Sequence, residues 1–185
     1  LMGGDYIFSI WDRPFKLTTE LYYKWLDDLI PYKIENVRIS YAGENIATGY
    51  ATGLDLKLNG EFVSGAESWF TASILQTKED IIGDQVLVYE DGAWAYQDAG
   101  YYSRPTAQLF TAGVYFQDYF PNNPDYKVHL SGHYGTGLPM SHPNEEQYYT
   151  ELRMRPYRRV DVGFSKVLKR DKDMLSVKNP LKHFE

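Results

Sequence analysis

The stretch 107–138, AQLFTAGVYFQDYFPNNPDYKVHLSGHYGTGL, decides the fold. It holds two alternating runs joined by Pro121-Asn122-Asn123-Pro124, and two such runs around a turn-forming cluster read as a β-hairpin. In the second arm Tyr126, Val128, Leu130, Gly132 and Tyr134 fall on one face of a strand, and Lys127, His129, Ser131, His133 and Gly135 on the other. The first arm repeats the scheme, with Phe110, Ala112, Val114 and Phe116 opposed by Thr111, Gly113, Tyr115 and Gln117. The apolar face of the second arm carries a ring at each end and aliphatic or small residues between. Eight steps of roughly 3.3 Å, tilted by about 40°, give a band about 20 Å high, close to the hydrocarbon height of a bilayer. The expectation is a segment of a transmembrane β-barrel.

Working outward, the same period of two returns along the chain. Asp5 to Trp11 reads as a strand end stopped at Asp12-Arg13-Pro14, where proline removes a ladder donor. From Phe15 to Asp27 the odd positions are Phe15, Leu17, Thr19, Leu21, Tyr23 and Trp25, and the even ones include Lys16, Thr18, Glu20, Tyr22 and Lys24. A long connection follows, with its own β-like piece at Lys33 to Tyr41. The next strand, Tyr50 to Phe62, sets Tyr50, Thr52, Leu54, Leu56 and Leu58 against Ala51, Gly53, Asp55, Lys57 and Asn59, and the link Gly60 to Gly65 leads to Ser68–Asp80. In that run Thr71 and Ser73 face away from Phe70, Ala72 and Ile74, a weaker alternation that leaves the register open. A second long connection runs from Ile81 to Pro105. A third, Leu138 to Pro156, precedes the strand Tyr157 to Leu168, and an irregular basic tail, Lys169 to Glu185, closes the chain. Connections therefore alternate short and long, the order produced by an up-and-down barrel with tight turns at one rim and extended loops at the other. The fold class expected is all-β: an antiparallel up-and-down meander of about seven strands, an incomplete part of a transmembrane barrel, with residues 1–185 forming one region.

Composition narrows the function. Tyr alone numbers 17 of 185 residues and aromatics make up 16%, which suits interfacial belts or ligand-binding loops. A net charge of −6 and a pI near 5.2 argue against nucleic acid as a partner. No run of about 18 apolar residues exists, so no transmembrane helix is expected, and barrel strands escape that test because every second residue is polar. The absence of cysteine removes disulfides and thiolate metal sites. Leu1 opens the chain without the pattern of a signal peptide, which points to a fragment.

The long segments 20–62 (ELYYKWLDDLIPYKIENVRISYAGENIATGYATGLDLKLNGEF), 104–139 (RPTAQLFTAGVYFQDYFPNNPDYKVHLSGHYGTGLP) and 155–166 (RPYRRVDVGFSK) resemble the C-terminal barrel strands of TonB-dependent outer-membrane receptors. Within them GYATGLDL, FQDYFPNNPDYKVHL and PYRRVDVGFSK are the most specific phrases. The resemblance covers most of residues 5–168. It implies a barrel of about 22 strands with a plug inside, in the bacterial outer membrane, importing a nutrient (siderophore, oligosaccharide or peptide) by energy relayed from the inner membrane. Its partners would be outer-membrane lipid, the rest of the barrel and plug, and the inner-membrane coupling complex. No enzymatic activity and no cofactor are implied. Two departures stand out. After Arg104-Pro105-Thr106, charged residues are expected, and this chain has Ala107, Gln108 and Leu109, which puts a lumenal ion pair there in doubt. The family ends on a strand with a terminal aromatic, whereas Pro180 interrupts the tail and Glu185 follows Phe184. The final strands, plug, coupling box and signal peptide are expected to lie outside this sequence.

The remaining chemistry is sparse. His129 and His133 share a strand face, but four residues separate them by about 13 Å, too far for one metal; His142 and His183 lack partner spacing. The acids Asp80, Asp84, Glu90, Asp91 and Asp98 do not have calcium-loop spacing and read as solvated loop charge. No nucleophile elbow or phosphate loop occurs, because glycines 49, 53, 113, 132, 135 and 163 sit inside strands, where they relieve crowding at bends or beside other lumenal structure. Tyr23, Trp25 and Tyr134 are expected in interface belts. The ligand-binding candidates are Tyr89, Trp94, Tyr96, Asp98, Tyr101 and Tyr102 of the second long connection, residues that stack on a sugar ring or grip a peptide. The alternative class is a soluble β-domain that binds carbohydrate or peptide through these same aromatic loops.

Overall fold

Alternation of apolar and polar residues commits the backbone to strands whose two faces differ, and the chain follows that pattern throughout. The computed structural model describes residues 1–35, 38–120, 123–140 and 152–168. Its strands are β1 (Met2–Ile10), β2 (Arg13–Leu29), β3 (Tyr32–Glu35), β4 (Arg38–Tyr41), β5 (Ala47–Val63), β6 (Ala66–Ile81), β7 (Gln85–Glu90), β8 (Ala93–Asp98), β9 (Tyr102–Ser103), β10 (Phe110–Phe120), β11 (Asn123–Gly135), β12 (Pro139–Met140), β13 (Leu152–Arg153) and β14 (Tyr157–Lys166). The main sheet runs β1-β2-β5-β6-β10-β11-β14, every neighbour antiparallel, with β9 added beside the end of β6. The molecule is thus all-β, an antiparallel meander of seven long strands that does not close: β1 and β14 are its edges.

Along the middle of the sheet the register sorts most side chains by polarity, with Thr19 on the apolar face and Leu75 on the polar one. Leu17 lies opposite Leu58 and Leu58 opposite Phe70; Leu21, Leu54 and Ile74 form a second row. On the other half Val114 pairs with Phe70 and Gly132, Phe116 with Leu130, Leu130 with Val162, and Val128 with Phe164. The reverse face carries Asp5 beside Thr18, Glu20 beside Asp55, Lys57 beside Thr71, Gln117 beside His129, and Ser131 beside Asp161. The open register of β6 is settled here by two neighbours at once, since Ala72 must face both Leu56 and Ala112.

Among the described residues two tight turns stand at one end of the sheet. Trp11 and Asp12 have φ of 54° and 59° and link Ile10 to its partner Arg13, a two-residue turn with both central residues left-handed, the type that matches strand twist. This corrects the expected stop at Asp12-Arg13-Pro14: Pro14 lies inside β2, opposite Ser9. The link expected from Gly60 to Gly65 shortens to Ser64 and Gly65, because β5 continues to Val63, which pairs with Ala66. Phe120 pairs with Asn123, and Pro121 and Asn122 lie outside the described residues. At the other end are the three long connections, 30–46, 82–109 and 136–156, each containing a small antiparallel pair: β3–β4, β7–β8 and β12–β13. The expected β-like piece at Lys33 to Tyr41 is the first of these. The tail 169–185 lies outside the described residues.

Burial is concentrated at the two ends of the sheet rather than between layers. At the tight-turn end Phe15 is 2% exposed, stacked on Phe8 and set edge-on to Phe62 at 5.1 Å. Its ring lies across Gly60 on the next strand, where a β-carbon would fall inside the ring. Gly60→Ala therefore has to expel Phe15 or spread the strands. The expected cost is about 1–3 kcal/mol, read as a lower thermal midpoint of the folded protein, with Gly4→Ala, where a β-carbon meets open space, unchanged as the control.

Candidate functional site

Two surfaces and one loop system carry whatever the chain does. The first surface is the apolar face. Val160, Val162 and Phe164 on β14, Leu130 and Val128 on β11, Val114 and Phe116 on β10, and Leu21 on β2 point from it, and Val162 and Phe164 are 60% and 74% exposed. Charged residues on this face stand only at its ends: Lys78 and Arg158 toward the long loops, Arg13, Asp118 and Lys166 toward the tight turns. Rings mark the same two levels. At the long-loop end Tyr23 contacts Trp25 at 6.2 Å and stacks on Tyr50 at 6.0 Å, Tyr50 meets Tyr101 at 5.6 Å, Phe110 meets Tyr134 at 6.0 Å, and Arg158 lies over Tyr134. Trp25 donates its indole N–H to Asp27 at 3.0 Å. At the other end are Tyr6, Phe8 and Phe15, and Tyr126 with the ammonium of Lys166 over its ring at 4.9 Å. Tyr23 and Trp25 thus belong to the ring cluster around Tyr50, and Tyr134 to the one with Phe110 and Arg158.

The second surface is the polar face, where charges pair in its middle. Lys16 reaches Asp5 at 2.9 Å and Thr18 donates to the same carboxylate at 2.7 Å; Arg159 pairs with Asp161 at 2.8 Å; Ser73 donates to Asp55. Trp69 stacks on Tyr115 at 4.1 Å, and Tyr115 on the His129 ring at 6.0 Å. A hollow of about 320 Å³ lies among Thr18, Glu20, Asp55, Lys57, Thr71 and Ser73. The glycines of this face have a more specific use than relief of crowding. Tyr22 lies over Gly53, Gln108 over Gly135 and His129 over Gly163, each large side chain lying flat on the bare backbone of its neighbour. His129 and His133 stay at separate levels, opposite Gly163 and Arg159 respectively. Among the described residues no group of three His, Asp or Glu side chains is arranged to hold a metal; His142 and His183 lie outside them.

The loop system is anchored by a charge pair that the sequence did not reveal. Glu79, with its side chain fully buried, sits beyond Lys78 and thus above the apolar band, and its carboxylate accepts from the Arg104 guanidinium at 3.0 Å. Burial pushes the Glu79 carboxyl above its ordinary value, against the opposing pull of Arg104. Beside the pair, Glu79 and Lys78 form the ladder with Tyr102 and Ser103, and the Arg104 amide donates to the Thr77 carbonyl at 3.3 Å. Arg104 thus has a partner on β6, although Ala107, Gln108 and Leu109 supply no charge. Gln108 instead donates to the Thr136 carbonyl at 2.9 Å, and Arg153 donates to the carbonyls of Ala107 and Gly137 at 2.8 and 3.1 Å, tying the second and third connections together.

Comparison with known protein families, with characterised proteins and with solved structures gives no match. The functional reading therefore rests on the residues and their placement.

The six ligand-binding candidates divide into three places. Tyr89, Trp94, Tyr96 and Asp98 share one face of the β7–β8 hairpin, where Tyr89 pairs with Trp94 and Leu87 with Tyr96. Asp91 and Gly92, at φ of 51° and 83°, make its two-residue turn. An Asp-Gly turn between alternating residues is the signal that marks a hairpin inside what the sequence reading treated as loop. Tyr101 belongs with Tyr50 in the ring level of the main sheet. Tyr102 is 5% exposed and packs with Ala47, Ile81, Leu29 and Ile46 in a small core beneath the connection, so it holds the loop base and does not join the hairpin's face.

Proposed function

We propose that this chain is the C-terminal part of the barrel of an energy-coupled outer-membrane importer of the TonB-dependent kind, its apolar face against lipid, its polar face toward the lumen, and its long connections outside the cell. The observation that carries the reading is the two-faced sheet: an exposed apolar band, bounded at both levels by rings and charges, backed by a face of paired charges. Lipid accepts the first face, and only a solvated or protein-filled interior accepts the second. Among the described residues no second layer covers the apolar face, which a soluble sandwich needs. In this reading further strands pair with the edges β1 and β14, and import depends on the plug and on the inner-membrane coupling complex. The chain contributes wall and outer loops, and no catalysis.

Size-exclusion chromatography tests the reading. Residues 1–185 are expected to aggregate without detergent, since an apolar sheet face far larger than the few hundred Å² usual on monomers would meet water. In detergent they are expected to disperse. A detergent-free monomer with cooperative thermal unfolding would overturn the proposal, because such behaviour requires burial of Leu54, Leu56, Val128 and Leu130 within the chain.

A further inference from the structure

We infer that the exposed face of the β7–β8 hairpin is a docking surface for an extended, cationic peptide segment, an inference that rests on reading the 81–105 connection as the outward ligand surface. The face is built from two cross-strand rows, Tyr89 with Trp94 and Leu87 with Tyr96, closed at one end by Gln85 and Asp98. Its rings are among the most exposed in the chain: Trp94 is 67% and Tyr96 70% open to solvent. Tyr89 and Trp94 meet at 5.1 Å with their planes tilted by 53°, so one ring presents its face beside the other's edge. A ring face attracts a cation through its quadrupole, and Trp does so best.

Charge selects the occupant. From Glu79 to Ser103 the chain has no Lys, Arg or His, while Asp84, Glu90, Asp91 and Asp98 all belong to the hairpin or its immediate flanks. Glu90, on the opposite face at the hairpin tip, accepts from Gln97 at 2.9 Å. The Glu79 carboxylate is already committed to Arg104. The hairpin is therefore a negative, aromatic projection, complementary to Lys or Arg side chains and repelled by an anionic lipid surface. A neutral sugar would find the rings and the Tyr89 and Tyr96 hydroxyls but gain nothing from the surrounding negative charge, which favours a cation. Successive rows of the face lie about 7 Å apart, the distance between alternate side chains of an extended peptide. Two basic residues in i, i+2 positions would each meet one row, with Leu87 under the apolar part of their stems.

The test uses the full chain in detergent and three probes: the peptide Lys-Leu-Lys-Leu-Lys, its Glu-Leu-Glu-Leu-Glu counterpart, and maltohexaose, each titrated calorimetrically at low and high salt. The lysine peptide is expected to bind, to weaken with salt, and to lose about fivefold or more in affinity on Trp94→Ala or Tyr96→Ala. Asp98→Asn weakens it in the same direction. Glu61→Gln with Glu67→Gln, at the opposite end of the sheet, should leave affinity unchanged. Thermal midpoints of all variants check that the fold survives. Salt-independent binding of maltohexaose, no binding of any probe, or equal losses from the Glu61 and Glu67 changes would each overturn the inference. A chain that needs detergent yet ignores the peptide defeats this inference alone; one that binds the peptide but is monodisperse without detergent defeats the membrane reading alone.

Discussion

Leu130→Arg is expected to reduce membrane assembly sharply if the sheet is the barrel wall proposed above, whereas His129→Arg leaves it nearly unchanged. The two positions are adjacent in sequence and opposite in facing. Leu130 is the midpoint of the apolar series Tyr126, Val128, Leu130, Gly132 and Tyr134, flanked by Phe116 on one strand and Val162 on the other. In the proposed barrel wall an arginine there stands near the bilayer midplane, where such a substitution costs about 2–4 kcal/mol. That is a drop of roughly thirty- to seven-hundredfold in the folding equilibrium, at about 1.4 kcal/mol per tenfold. His129 points to the polar face, over Gly163 and beside Tyr115, where a guanidinium can reach solvent or Asp161. Heat-modifiable migration of protein refolded into vesicles measures the folded fraction. Equal losses for the two variants would mean that the faces are wrongly assigned.

The second large effect concerns the anchor of the long loops. Arg104→Ala leaves the buried Glu79 carboxylate without its cation, a loss of about 3–5 kcal/mol when a buried pair is broken from one side. Glu79→Gln combined with Arg104→Ala should recover part of it, because the uncharged amide carries a smaller desolvation penalty. The sign with pH follows from the raised carboxyl. A Glu whose folded value lies above its unfolded one favours the protonated form in the fold, so its ionisation costs stability as pH rises above the unfolded value near 4.5. Removing Arg104 removes the opposing attraction and raises the carboxyl further, so the single variant should regain stability as pH falls through the acid range. Protease sensitivity of the 81–105 connection, measured from pH 4 to 8, reports the effect directly. An Arg104→Ala protein as resistant as the parent at neutral pH would show that the ladder of Tyr102 and Ser103 on β6 holds the loop without the ion pair.

How much of this was legible before the structure depends on range. Period-two alternation is a local property, and the long strands other than β6 carry clear copies of it from Phe15 onward. The faces of β10 and β11 and the order of short and long connections could therefore be read from neighbours in sequence alone. Turn chemistry was only half legible. The proline in Asp12-Arg13-Pro14 drew the stop signal one step too far, because Trp11 and Asp12 adopt the left-handed conformation without a glycine to announce it. The Asp91-Gly92 pair did announce its hairpin and lay hidden inside a segment whose polarity reads as loop.

What only the tertiary structure decided are the interactions between distant strands. The chain by itself determined an all-β meander with one apolar and one polar face, because strand geometry sends every second side chain the same way. It could not determine the register of β6, where Ser, Thr and Ala give weak contrast and two neighbouring strands impose the alignment. Nor could it pair Glu79 with Arg104, bury Tyr102, or lay Phe15, Tyr22 and His129 on glycines of adjacent strands, since each depends on a partner brought close by the ladder. The physical reason is the same throughout: facing is set by the pleat, residue by residue, whereas pairing and burial are set by which strands the hydrogen-bond ladder brings side by side.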